Sequence, residues 1–236
     1  MEFIKKKRSP MAKTRINKPS AHLKRLAFPE DEQRHAWLSM LLDAYHITDR
    51  GVAEGIARMT RSGHRLACAK GCAHCCITHR SIPVYPLELV GITWYATEKL
   101  DGPVRQVLKK ALQAHRSGDP CAFLVDGACS IHPMRPMACR QFNVFNTACG
   151  PNEDAYYTRR GDVLTPNRRY ADEAFMKMLP FYGIKDRSER RRLVKEGGQH
   201  SLAKDMQTLN WGSLAAKMAA FDLSMNPHGA WRHNQP

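Results

Sequence analysis

Eight cysteines fall between residues 68 and 149, and the chain has none elsewhere. They form two halves: Cys68, Cys72, Cys75 and Cys76, then Cys121, Cys129, Cys139 and Cys149. The two-residue gap between Cys72 and Cys75 lets one turn point both sulfurs at a single ion. Cys68 stands one residue further off than a second such unit requires, and Gly71 gives that loop freedom to close. Adjacent side chains usually diverge, so Cys75 and Cys76 favour two metals sharing a neighbourhood, or a polynuclear cluster. Two accounts stay open. One is zinc in two four-coordinate sites drawn from eight thiolates. The other is an iron–sulfur cluster on four cysteines, with the others structural, redox-active or on a second cluster. Soft thiolates suit both metals.

A chain of 236 residues buries a real core without covalent staples. Met1-Glu2-Phe3-Ile4 runs into Lys5-Lys6-Lys7-Arg8 with no apolar segment behind it. The stretch from Ile82 to Ala96 is too short for a membrane span and is broken by Pro83, Pro86 and Glu88. The expectation is a cytoplasmic protein with no membrane partner. Thiols stay reduced there, so clustered cysteines read as metal-binding or catalytic rather than as a disulfide framework. Cys76 stands where a haem attachment motif requires His, and a thioredoxin-like reading leaves Cys68 and Cys76 unexplained. No Walker loop or GxGxxG run points to nucleotide phosphates.

Net charge is +15, and residues 1–25 carry nine Lys/Arg against one Glu. Residues 1–27 therefore read as a basic disordered arm, residues 28–182 as a cysteine-cluster domain with its core at 68–149, and residues 183–236 as a helical extension. The fold class is mainly α with a small β-hairpin, the cysteine loops clasped between helical segments. Phe28-Pro29-Glu30-Asp31-Glu32 starts a helix, and Trp37, Leu38, Leu41, Leu42 and Tyr45 recur at helical spacing. Thr48-Asp49 suits the cap of a second helix ending near Gly63. Residues 77–85 read as extended. Pro86 opens a helix with Leu87, Val90, Trp94 and Leu100 as its stripe. Pro103 opens another, through His115, with Val104, Val107, Leu108, Ala111 and Leu112 buried. Asp126-Gly127 predicts a hairpin turn within 122–131. His132 to Pro136 is a turn, and residues 137–142 start a helix. Further helical segments are predicted at 170–182, 187–196 and 201–222, with a frayed last ten residues.

Cys72, Cys75, Cys76, Cys129 and Cys139 are the foremost candidate ligands, followed by Cys68, Cys121 and Cys149. His74, His79 and His132 lie among them, and imidazole also suits zinc and iron. Arg135 and Arg140 flank Cys139, placed to neutralise thiolates, pair with carboxylates or hold an anion. Asn143 and Asn146 read as turn or cap residues.

The run Cys68-x3-Cys72-x2-Cys75-Cys76, then Cys121-Ala-Phe-Leu, then Cys129-Ser-Ile-His-Pro-Met-Arg-Pro-Met-Ala-Cys139-Arg140, resembles the YkgJ-type cysteine-cluster proteins. This is the CxxCxxCC family of zinc- or iron-chelating proteins, and the likeness covers residues 68–149. The three-residue first gap departs from the pattern. The resemblance implies a metal centre, zinc or iron, in a metal-handling or redox role. Flagellin lysine N-methylase is similar at a distance, so a metal-dependent protein-modifying enzyme is the alternative. A nucleic-acid-binding protein with structural zinc, its basic arm on phosphates, is the second alternative.

Overall fold

The computed structural model describes residues 23–225. Most of the basic arm expected over 1–27, and the expected frayed end, lie outside the described residues. The architecture is mainly helical with two small antiparallel two-stranded sheets, as the sequence predicts.

Pro29 opens α1 (Pro29–Arg34). The Glu32 carboxylate reaches back to accept the amide of Phe28 at 3.0 Å. α2 (Ala36–Arg61) follows and buries Leu38, Leu41, Leu42 and Tyr45 on one face. The cap expected at Thr48-Asp49 is not there, because α2 runs straight through it. Thr48 is tolerated inside the helix because its hydroxyl donates to the Ala44 carbonyl one turn back, at 2.9 Å. Gly51 and Gly55 let α8 (Arg168–Met178) and the segment before it lie close against α2, facing Tyr170 and Leu164.

After a loop comes α3 (His74–Thr78), then β1 (Pro83–Val84). The extended stretch expected over 77–85 thus begins only after Thr78. α4 (Pro86–Trp94) starts at its proline as expected and passes into a π-helical turn, Tyr95–Lys99. Val90 is exposed rather than part of the buried stripe. α5 (Gly102–Ala114) buries Arg105, Leu108 and Leu112, while Val104 and Val107 face outward. The rotation has a polar cause. Arg105 donates to the carbonyls of Ala96, Thr97 and Leu100 that the π-turn leaves open, and pairs with Asp222.

β2 (Leu124–Val125) and β3 (Ala128–Cys129) form the predicted hairpin. Asp126 and Gly127 both have positive φ, 50° and 75°, as a tight two-residue turn demands. The chain then makes a 3-10 turn, His132–Met134, and α6 (Met137–Gln141). α7 (Ala155–Thr158) and a 3-10 turn, Arg160–Asp162, precede α8; α8 runs into a further turn at Leu179–Tyr182, and α9 (Arg187–Lys195) comes next.

The single helix expected over 201–222 is broken into α10 (Gln199–Leu202), β4 (Lys204–Asp205), a 3-10 turn and α11 (Gly212–Met225). β4 pairs with β1, and the Asp205 carboxylate accepts from the amides of Ile82 and Gln207. Those bonds hold residues 204–207 extended or tightly turned, where propensity alone favours helix.

Two apolar cores support this frame. One gathers Val84, Ile92, Leu108, Leu112, Phe123, Ile131, Trp211 and Leu214; the other gathers Leu38, Leu41, Tyr45, Leu87, Met134 and Phe175. A third, smaller cluster joins Val144, Ala155 and Val163. The cysteines sit between the first and third.

Candidate metal centre

The first four cysteines are carried by the loop after α2 and by α3. Cys68 is fixed beside the 144–146 segment: its amide donates to the Val144 carbonyl at 3.3 Å, and the Val144 amide donates to its Sγ at 3.2 Å. Leu66 bridges to Phe145, and Asn146, at φ 66°, turns the chain there. Gly71, at φ 85°, bends the loop so that the Cys72 amide meets the Ala69 carbonyl at 3.1 Å. Cys75 and Cys76 occupy α3.

The second four come from separate elements. Cys121 lies just before β2, Cys129 ends β3, Cys139 lies in α6 and Cys149 in the following loop. The Cys121 amide donates to the Cys76 carbonyl at 2.7 Å, which sews the halves together. His74 Nε2 donates to the Gly150 carbonyl and draws the Cys149 loop onto α3.

All eight cysteines line one cavity of about 560 Å³. Cys121 is buried, Cys72 is exposed and the others are half-buried. They divide between two walls. Cys76, Cys121, Cys129 and Cys139 belong with the first core, and Cys68 and Cys149 with the third. Cys75 lies between, near enough that its thiolate would repel those of Cys139 and Cys129 on one side and of Cys68 on the other. Among the described residues, no three His, Cys, Asp or Glu side chains already converge on a common ion position. The donors share a cavity, and closing on an ion requires their side chains to turn.

The electrostatics favour a cation. The Cys76 thiol is pushed up to about 12, first by its contact with the Cys121 side chain. Contact with Cys76, then burial, drives Cys75 up, and burial raises Cys139, Cys129, Cys68 and Cys149. For Cys139 and Cys68, neighbouring cysteine charges add to burial. Thiols crowded in this way ionise together only when a positive charge joins them, and a metal supplies it. The donor set therefore fits zinc or iron in kind and in number.

Both arginines line the cavity. Arg140 is buried, with its guanidinium 4.0 Å above the Tyr45 ring and paired to Asp49 at 2.9 Å. It also donates to the Arg135 and Pro133 carbonyls, so it braces the turn between Cys129 and Cys139. Arg135 contacts His132 Nε2, and its own Nε is buried without a partner. Burial, followed by the charges of Arg135 and Arg140, holds the His132 imidazole below its usual value.

Sequence reasoning took Asp49 for part of a helix cap and missed both its pairing with Arg140 and the role of Asp154. The Asp154 Oδ2 accepts from His79 Nδ1 at 2.9 Å, and the His79 ring stands edge-on to Phe142 at 4.2 Å. No local motif announces either carboxylate, since each meets its partner only through the tertiary fold.

A mainly helical frame thus encloses a thiol-lined cavity. Residues 67–162, which include every cysteine, match the CxxCxxCC family, described as "Putative zinc- or iron-chelating domain". No curated protein and no solved structure matches the chain. Among the described residues, no helix is long and apolar enough to cross a membrane.

Proposed function

We propose that the eight cysteines hold zinc or iron, the iron in mononuclear or iron–sulfur form, in a metal-handling or redox role. One observation carries the reading: donors from five separate stretches of chain open onto a single cavity. Cys76, Cys121, Cys129 and Cys139 form one set of four. Cys68, Cys72 and Cys149 form the other with Cys75, the cysteine that acts on both walls. Sets of four suit two tetrahedral thiolate sites or one cluster beside a second centre. Bound zinc holds structure or is passed on; bound iron–sulfur supplies one-electron chemistry. Arg140 braces the Cys129–Cys139 turn, and Arg135 and Lys70 add positive charge to the cavity lining.

Metal and acid-labile sulfide analysis of anaerobically purified full chain, with its visible spectrum, tests this. Colourless protein with zinc and no sulfide assigns a structural or delivering site. Brown protein with iron and sulfide assigns a cluster. Protein that retains neither metal after purification and fails to take up zinc or iron overturns the reading.

A further inference from the structure

A second cleft of about 360 Å³ lies against the cysteine cavity. The two share His79, Ile82, Cys139 and Phe142 as a common wall. Its volume falls in the usual range for small-molecule sites, roughly 300–1,000 Å³. The lining is mostly apolar and includes Pro83, Phe142, Val163 and Leu164.

Two tyrosines at the cleft are exposed despite their size, Tyr156 by 48 % and Tyr157 by 75 %. They meet nearly at right angles, centroids 5.2 Å apart. Tyrosines pay off in ligand contact because they are rigid, large and polar only at the tip. Beside them, the Arg160 guanidinium lies 5.0 Å from the Tyr156 ring centroid and donates to the Val163 carbonyl at 3.0 Å. Its neighbour Arg159 is paired with Glu153 and Asp162. Arg160 has no carboxylate partner among the described residues.

The one acid in the lining is paired elsewhere and not with that cation. Asp154 accepts the Tyr156 amide on Oδ1, at 3.0 Å, and His79 on Oδ2. The His79 bond fixes the imidazole's orientation in the common wall, with Nδ1 turned to the carboxylate.

We propose that this cleft binds a small organic anion with an aromatic or branched apolar body. The apolar wall and the tyrosines take the body, and Arg160 takes the anionic group. Occupancy places the ligand one side chain from the cysteine cavity, across Cys139 and Phe142. The proposal goes beyond the metal reading and does not rest on it.

Calorimetric titration of the full chain with 4-phenylbutyrate and with 4-phenylbutyramide tests it. The acid is expected to bind about tenfold tighter than the neutral amide, the margin of one charge-assisted contact. Arg160→Gln is expected to remove that margin, and Ser81→Trp, at an exposed lining position, to abolish binding of both. Equal affinity for acid and amide, full binding by Ser81→Trp, or no saturable binding at millimolar concentration overturns the proposal. Metal content measured on the same samples reads the cysteine centre separately, so failure of one is not mistaken for failure of the other.

Discussion

The Cys121 amide donates to the Cys76 carbonyl at 2.7 Å, joining cysteines that the helical segments α4 and α5 separate along the chain. The backbone itself therefore holds the two halves of the donor set together. Side-chain reorientation at the cavity leaves that bond intact, which lets the centre fill without refolding the domain.

Single cysteine substitutions are expected to divide by wall. Cys139→Ser should empty the set made with Cys76, Cys121 and Cys129, and lower the midpoint of thermal unfolding, because metal affinity is also folding free energy. Cys149→Ser should lower the metal count while sparing that set. Metal analysis of both variants beside the parent checks this. Undiminished metal in Cys139→Ser would sink the assignment.

Arg140→Met leaves Asp49 without its cation and strips the Pro133 and Arg135 carbonyls of a donor. Arg140 is buried but Asp49 is about a third exposed, so the loss is expected to be about 1–3 kcal/mol, the cost of leaving hydrogen-bond acceptors without their donor. Urea unfolding of parent and variant reads the difference. Arg140→Lys should recover only part of it, since an ammonium cannot reach all three acceptors at once.

Where α2 meets α8, a Cβ on Gly51 would stand 2.6 Å from the Tyr170 Cβ. The Tyr170 Cβ is fixed to its own helix and cannot rotate away, so Gly51→Ala should force the helices apart despite its better helix propensity. A loss of about 1–3 kcal/mol is expected in chemical denaturation. A stabilised Gly51→Ala variant would show that the two helices separate freely.

The Glu32 carboxyl is held down to about 2, first by its hydrogen bonds with Arg25, against an ordinary value of 4.5. A depressed carboxyl contributes stability above its unfolded value and loses it as pH falls toward the folded one. The contribution should therefore be whole above pH 4.5 and fade between 4.5 and 2. Thermal unfolding across that window should show a shallower acid slope for Arg25→Gln than for the parent.

Local chemistry made part of the fold legible. Asp126-Gly127 specifies its turn because both residues accept positive φ, and Pro86 starts α4 because a first-turn residue needs no amide donor. Thr48-Asp49 misleads for the same kind of reason. A capping residue can also back-bond within a helix, and only the distant Arg140 decides where Asp49 points. The outward turn of Val104 and Val107 follows from Arg105, whose burial depends on carbonyls in another element. The cysteines were readable as a set because their spacing is chemical. The cleft beside them was not, since His79, Cys139, Asp154 and Arg160 come together only after α3, α6 and α7 have packed.

The distribution of donors along the chain also sets a timetable. Cys76 leaves the ribosome well before Cys149, and at about 5–20 residues per second the interval is roughly 4–15 s. The first four thiols have no partner from the second half until Cys121 follows, and the set is complete only with Cys149. Until then the nascent thiols are open to oxidation, so reducing conditions during synthesis favour an intact set of eight.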